Sequence, residues 1–314
     1  MKKFLLPALA AGLALIVSSP APADDSSSRT AGKTRVVSTI FPPYDFARAL
    51  GGSLIEVDML LNPGAESHSF EPSPQDIIRI KNCDIFIYTG GESERWVERV
   101  LQAVERPEIK VISMLECVSP LEEELVPGME AEEEGEEEAE YDEHIWTSPR
   151  NAQAVVRTIA AALRQADEAN ADFYRQKEEE YLSRLEALDR AFRETVAKGA
   201  RKTIVFGDRF PFRYLSEEYG LDYFAAFPGC STETEASAAT IAFLIDKVKA
   251  EHIPTVFHIE LSNEKIADSI CESSGAAKRL MHSGHNLSSQ DFAAGRTYLE
   301  LMEANLDALR EGLN

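Results

Sequence analysis

Ala171-Asp172-Phe173-Tyr174-Arg175-Gln176-Lys177-Glu178-Glu179-Glu180-Tyr181-Leu182-Ser183-Arg184-Leu185-Glu186-Ala187-Leu188-Asp189-Arg190-Ala191-Phe192-Arg193-Glu194-Thr195-Val196-Ala197-Lys198 is the stretch on which the fold turns. Its aromatic and branched residues recur at three-, four- and seven-residue steps, the signature of one helix face. Charges fill the other faces, and Gly199 ends the pattern. A helix of this length spans roughly 40 Å. That is far longer than the helix of an ordinary crossover between parallel strands. It reads as a stiff spine between two lobes, although a surface helix of a single domain would carry the same stripe.

On either side of this stretch, short β-rich runs alternate with helical ones. Before it, strands are expected at Arg35–Phe41, Ile55–Leu61, Asp84–Thr89 and Lys110–Met114. Helices are expected through Phe46 and Leu50, over Pro74–Asn82 and Glu94–Val104, and from Pro149 to about Gln165 with Ser148 as cap. After it, strands are expected at Thr203–Phe206, Phe224–Phe227, Thr255–Glu260 and Arg279–Met281. The matching helices are Ala236–Lys249, Asn263–Ser273 and a closing helix Asp291–Leu313. Such alternation implies βαβ units and parallel sheets. The expected fold is α/β: two βα lobes, residues 34–165 and 200–314, linked by one long helix within 166–199. No sequence repeat relates the halves.

The chain has 314 residues, room for about two domains. Lys2 and Lys3, an apolar run Phe4–Val17 and the small-residue exit Ala21-Pro22-Ala23 read as a signal peptide over 1–23. Residues 24–33 read as a disordered leader. The formal net charge is −22, and Glu122 to Glu143 holds 13 acidic residues and no Lys or Arg. Without that stretch the balance is 32 − 41 = −9. Segment 119–143 therefore reads as a solvated acidic loop. An acidic chain repels nucleic acid and anionic lipid and attracts cations. Four cysteines follow the leader, at 83, 117, 230 and 271. An even number in an exported chain favours disulfides, expected as Cys83–Cys117 and Cys230–Cys271, one per lobe. Buried free thiols are the alternative.

Two loops are the chemical centre. His68 lies in Gly64-Ala65-Glu66-Ser67-His68-Ser69-Phe70-Glu71-Pro72-Ser73-Pro74, and His144 in Asp142-Glu143-His144-Ile145-Trp146-Thr147-Ser148-Pro149. Each presents one imidazole among carboxylates on a segment stiffened by Pro, between an expected strand and helix. That arrangement suits a divalent metal, though both rings could simply hydrogen-bond their loops. His285 is a third candidate, with His282 an equal rival. His252 is expected at the surface and His258 in the core. Asp208 follows Gly207 at a strand end and is either a ligand or a helix cap.

With these residues in view, the chain resembles the cluster A-I, or cluster 9, solute-binding proteins of zinc and manganese ABC transporters. The resemblance covers the whole mature chain. It rests on Val37-Ser38-Thr39-Ile40-Phe41-Pro42-Pro43-Tyr44-Asp45-Phe46, the Gly64–Pro74 loop, Asp84-Ile85-Phe86-Ile87-Tyr88 with Trp96, Asp142–Pro149, and the segment from Thr297-Tyr298 to Leu309. It implies two βα lobes bridged by one long helix, with the metal between them. His68 and His144 match the first two ligands. The third, a His or Glu just after the first C-lobe strand, aligns with Gly207, or with Asp208 after a one-residue shift. The fourth, a carboxylate in the family, aligns with His285. Related zinc binders carry a His-rich loop where this chain has its Glu run.

The expected ligand set is thus His68, His144, His285 and Asp208. Three imidazoles and one carboxylate favour Zn²⁺, whereas Mn²⁺ prefers more oxygen. The expected role is extracytoplasmic capture of Zn²⁺ by a periplasmic or cell-surface monomer that delivers it to a membrane permease. A manganese binder and a surface adhesin of the same fold are the alternatives. An enzyme is disfavoured: no HExxH motif and no Ser-His-Asp ordering stands out, although Glu66, Glu71 and Glu143 could be offered as bases.

Overall fold

Strand β1, Thr34–Ser38, alternates between two apolar layers. Val36 faces one core and Val37 the other, and Ile85 and Phe86 of strand β3, Ile85–Tyr88, divide the same way. A strand apolar on both faces can only sit inside a parallel sheet covered by helices on each side. A computed structural model, describing residues 32–129, 140–231 and 235–314, has this architecture. The expected signal peptide, most of the leader and the centre of the acidic loop lie outside the described residues.

The first sheet has the order β2-β1-β3-β4, with β2 at Ile55–Met59 and β4 at Lys110–Ser113, all pairs parallel. The second has the order β6-β5-β7-β8: β5 is Thr203–Phe210, β6 Asp222–Pro228, β7 Thr255–His258 and β8 Ala277–Leu280. The two orders are the same pattern used twice. In each lobe the connections leave from the carboxyl ends of the strands, where α/β sheets place their sites.

In the first half α1 is Phe41–Gly51, α2 Pro74–Lys81, α3 Trp96–Val104 and α4 Pro149–Ala166. Helices α2 and α4 begin at Pro and α1 has Pro42 at its second position, where a fixed φ suits the first turn. Ser73 caps α2 in a reciprocal box with Asp76, and Ser148 caps α4 by accepting from the Asn151 N–H. Helix α5, Ala171–Lys198, is the long spine. Its stripe of Tyr174, Tyr181, Leu185, Leu188, Phe192 and Val196 is buried. The main core takes residues from both sheets and from α5 without interruption; two smaller cores lie on the outer faces of the two sheets. The halves are therefore packed through shared apolar surface as well as tied by a helix. No described helix is long and apolar enough to cross a membrane.

Four differences from the sequence reading have clear causes. Strand β5 continues past Phe206 to Phe210 through a register shift at Gly207-Asp208. A short helix α6, Arg213–Tyr219, was not anticipated; Gly220 in the left-handed region closes it. Beyond α7 (Ala238–Ala250) and α8 (Lys265–Ser274), the single closing helix is two, α9 at Ser289–Ala293 and α10 at Tyr298–Gly312. Gly295 breaks it at φ +75°, and Thr297 starts α10 with a Glu300 capping box. Finally, the four cysteines are free. Cys83 packs in the small core on the outer face of the first sheet, its thiol donating to the Ile80 carbonyl. Cys117 packs toward the main core beside Thr158 of α4. Opposite faces of one sheet separate them. Cys271 lies on α8 against the outer core of the second sheet, while Cys230 follows β6, so that expected pair does not form either.

Two consequences can be measured. Phe192 is fully buried and stacks on Tyr219 at 5.4 Å. Phe192→Ala should lower unfolding free energy by about 3–5 kcal/mol in denaturant titration, and half-buried Phe173→Ala by less. Glu94 is buried beneath the Thr89 and Gly90 N–H groups it accepts from, and burial pushes its carboxyl up to about 7. With its folded pKa raised, the native state binds the extra proton. Its contribution is full at low pH and is lost as pH rises from about 4.5 to 7. At about 1.4 kcal/mol per unit, Glu94→Gln should gain up to roughly 3 kcal/mol on wild type between pH 4.5 and pH 7.5. A pH-independent difference in melting temperature would contradict this.

Candidate metal centre

His68 follows β2, His144 precedes a 3-10 turn (Ile145–Thr147) that leads into α4, and His285 follows β8. All three emerge at the carboxyl edges of their sheets. The third loop is fastened to the first by backbone and amide contacts. Asn286 Nδ2 donates to the Asn62 and Ala65 carbonyls at 2.8 and 2.9 Å. Gly64 N donates to the Leu287 carbonyl, and Phe41 N to the His285 carbonyl. Glu260 shapes the same loop by accepting from Ser283 N, Ser283 Oγ and Gly284 N, each at 2.7 Å. Trp146 Nε1 donates to the Ser283 carbonyl and the indole packs on the His285 ring at 4.7 Å.

The result is convergence. One nitrogen from each of His68, His144 and His285 lies within 4.8 Å of the other two. Ring centroids are 5.9 Å apart for His68–His144, 4.9 Å for His68–His285 and 4.4 Å for His144–His285. Nδ1 of His68 lies 2.7 Å from Glu66 Oε1, and Nδ1 of His144 lies 3.1 Å from Asp142 Oδ1. A carboxylate only accepts, so in both rings Nδ1 carries the hydrogen and Nε2 the lone pair. Those two Nε2 atoms are buried without a hydrogen-bond partner. A buried lone pair left unpaired is costly unless something else fills its place. A carboxylate behind each imidazole is the usual support for a metal-binding ring.

Burial is the first cause that holds His144 and His285 well below the ordinary imidazole pKa, with the neighbouring imidazoles and Arg209 acting in the same direction. Both are thus neutral, the form that binds metal. Glu66 is held well below the carboxylate range, first by its hydrogen bond to His68 and then by Arg209. Burial pushes Asp142 up to about 7.

Asp208 is not brought into this group. Its Oδ1 accepts from Arg209 N at 2.9 Å and its Oδ2 from Ile259 N at 3.2 Å, so it braces β5 and neither caps a helix nor meets the imidazoles. Gly207 serves packing: a Cβ there would lie 2.5 Å from the Ala267 Cα of α8. From β5 it is Arg209 that lines the pocket, with Nη1 3.3 Å from His68 Nδ1. Sequence reading passed over it because the β5 bulge, which re-aims the chain, is invisible in residue types alone. His282 is buried, its backbone paired with Asn305, and stands outside the cluster. His252 is exposed and His258 is buried against the Ile259 carbonyl, as expected.

The family model described as zinc-uptake complex component A, periplasmic (ZnuA) matches residues 36–312. The zinc-binding lipoprotein AdcA of Streptococcus pneumoniae serotype 4 is 30% identical over 286 residues, covering 89% of this chain but 56% of AdcA. The chain thus spans about half the length of that relative. The high-affinity zinc uptake system protein ZnuA of Bacillus subtilis is 29% identical over 294 residues, 92% of this chain and 90% of its own. The crystal structure of the Zn(II)-bound ZnuA-like domain of S. pneumoniae AdcA superposes with a TM-score of 0.74 at 28% identity, over 90% of this chain and 99% of that one. A match over nearly all described residues, with the same two-lobed fold, means that this chain belongs to the ZnuA family of zinc-uptake solute-binding components.

Proposed function

We propose that this chain captures Zn²⁺ through His68, His144 and His285 in the cleft between its lobes and delivers it to the permease of an ABC transporter. One observation carries the reading: three imidazoles from both halves converge, and two of them aim buried, unpartnered Nε2 atoms inward. Three imidazoles suit tetrahedral Zn²⁺, with the fourth position left to solvent or a small ligand. Mn²⁺ would want oxygen ligands, and among the described residues no carboxylate joins the three nitrogens. The family membership and the zinc-binding relatives support the same ion.

Delivery implies an extracytoplasmic protein, in keeping with the signal peptide read over 1–23, and we take it to act as a monomer. We take residues 34–165 and 200–314 as its lobes. The continuous core and the stapled loops favour small loop adjustments over wide hinge closure on binding. A catalytic reading gains no support from the carboxylates near the pocket. Glu66 is engaged by His68 and Arg209, Glu143 accepts from Ser93 N and Oγ, and Glu71 is exposed.

Competition with a chromophoric chelator tests the site. His68→Ala, His144→Ala and His285→Ala should each weaken Zn²⁺ binding by roughly a hundredfold or more, beyond the loss typical of an outer partner. His282→Ala should leave it unchanged. Unaltered affinity after His285→Ala would remove the site as drawn. Asp142→Asn keeps the shape of the His144 support but weakens its basicity. It should cost roughly tenfold in affinity with the apo melting temperature near that of wild type.

A further inference from the structure

We infer that Arg209 sets how tightly the cargo is held: a permanent positive charge fixed against the three-imidazole pocket weakens the hold on a bound dication and speeds its release. The inference rests on the zinc-capture reading and deepens it. Arg209 is the only Lys or Arg among the residues lining the pocket. A guanidinium stays charged at any physiological pH. Its place is determined by the backbone beneath it. Gly207 allows β5 to pass within contact distance of Ala267, Asp208 grips Ile259 N, and the next side chain is thereby turned toward the cleft.

The guanidinium is held by two partners through three hydrogen bonds. Nη1 and Nη2 meet Glu66 Oε1 and Oε2 at 3.3 and 3.2 Å, and Nη1 also donates to the Ser231 carbonyl at 3.2 Å. Glu66 is also the carboxylate behind His68, at 2.7 Å. One negative charge is therefore shared between an imidazole that would bind metal and a guanidinium that would repel it. Without Arg209, Glu66 would act on His68 and the dication undiminished. With it, the Glu66–Arg209 pair is neutral, and the metal meets three imidazole nitrogens with Asp142 as the remaining carboxylate behind them. The Glu260 carboxylate in the pocket wall is already occupied by three donors.

Two roles for Arg209 predict opposite signs. As a mere clamp on the Glu66 loop, it would strengthen binding, and any substitution would weaken it. As an opposing charge, it weakens binding, and neutralising it tightens binding. Charges a few ångströms apart at an effective dielectric near 20 interact strongly enough to shift affinity by on the order of tenfold.

The full chain is tested with Zn²⁺ alone, using chelator competition for Kd and stopped-flow transfer to chelator for release. Arg209→Gln should bind about tenfold tighter and release correspondingly more slowly, while Arg209→Lys, which keeps the charge, stays within about threefold of wild type. Equal or weaker binding by Arg209→Gln overturns the inference. Glu66→Gln supplies a second arm should Arg209→Gln not fold. It removes the support of one imidazole and leaves the guanidinium uncompensated, so it should weaken binding more than Asp142→Asn does; equal losses overturn the inference too. A wild type that binds no Zn²⁺ defeats the capture reading as well. Binding abolished by His144→Ala yet indifferent to Arg209→Gln defeats only the role of Arg209.

Discussion

The attachment of the β8–α9 loop to the loop after β2 is the contact on which the site depends. Asn286 reaches two carbonyls of the opposite lobe, and the backbones of Gly64 and Phe41 return hydrogen bonds to Leu287 and His285. These are buried or half-buried bonds between segments more than 220 residues apart in sequence. Breaking them would strand polar backbone groups, so the loops hold each other in place. His68 and His285 are brought within reach by this stapling.

Behind the staple lies a core that does not respect the division into lobes. Residues of both sheets, of α1, α4 and α10, and of the spine helix share one apolar interior. A large common core stiffens the relative position of the lobes, because packed interiors deform in discrete steps. Around the pocket, polar supports complete the arrangement. Glu66 and Asp142 orient the first two imidazoles, and Glu260 with Trp146 shapes the turn that carries the third. Burial keeps two of the rings neutral, so protons compete weakly with a metal for them.

Much of this was legible in residue order. Period-3.6 spacing marked α5, apolar runs marked β1 and β3, and a Ser-Pro signal marked the helix start at Pro149. His68 and His144 stood out because each is a single imidazole in a Pro-stiffened acidic loop. The break at Gly295 is a local signal that the apolar pattern overrode, whereas the bulge at Gly207-Asp208 and the separation of the cysteines depend on neighbours far away in sequence. Asp208 had the right chemistry for a ligand, but its two oxygens were claimed by backbone N–H groups.

Local pattern alone thus determined the α/β class, the long spine and the two histidine loops, because helix and strand periods and loop chemistry are properties of short segments. Which third imidazole joins them, His285 over His282, and that Arg209 rather than Asp208 reaches the pocket, were decided only when the chain was folded. Ligand convergence requires side chains from three separate loops to point at one place, and direction across such distances is set by sheet register, a bulge and interlobe packing, none of which a linear order of residues contains.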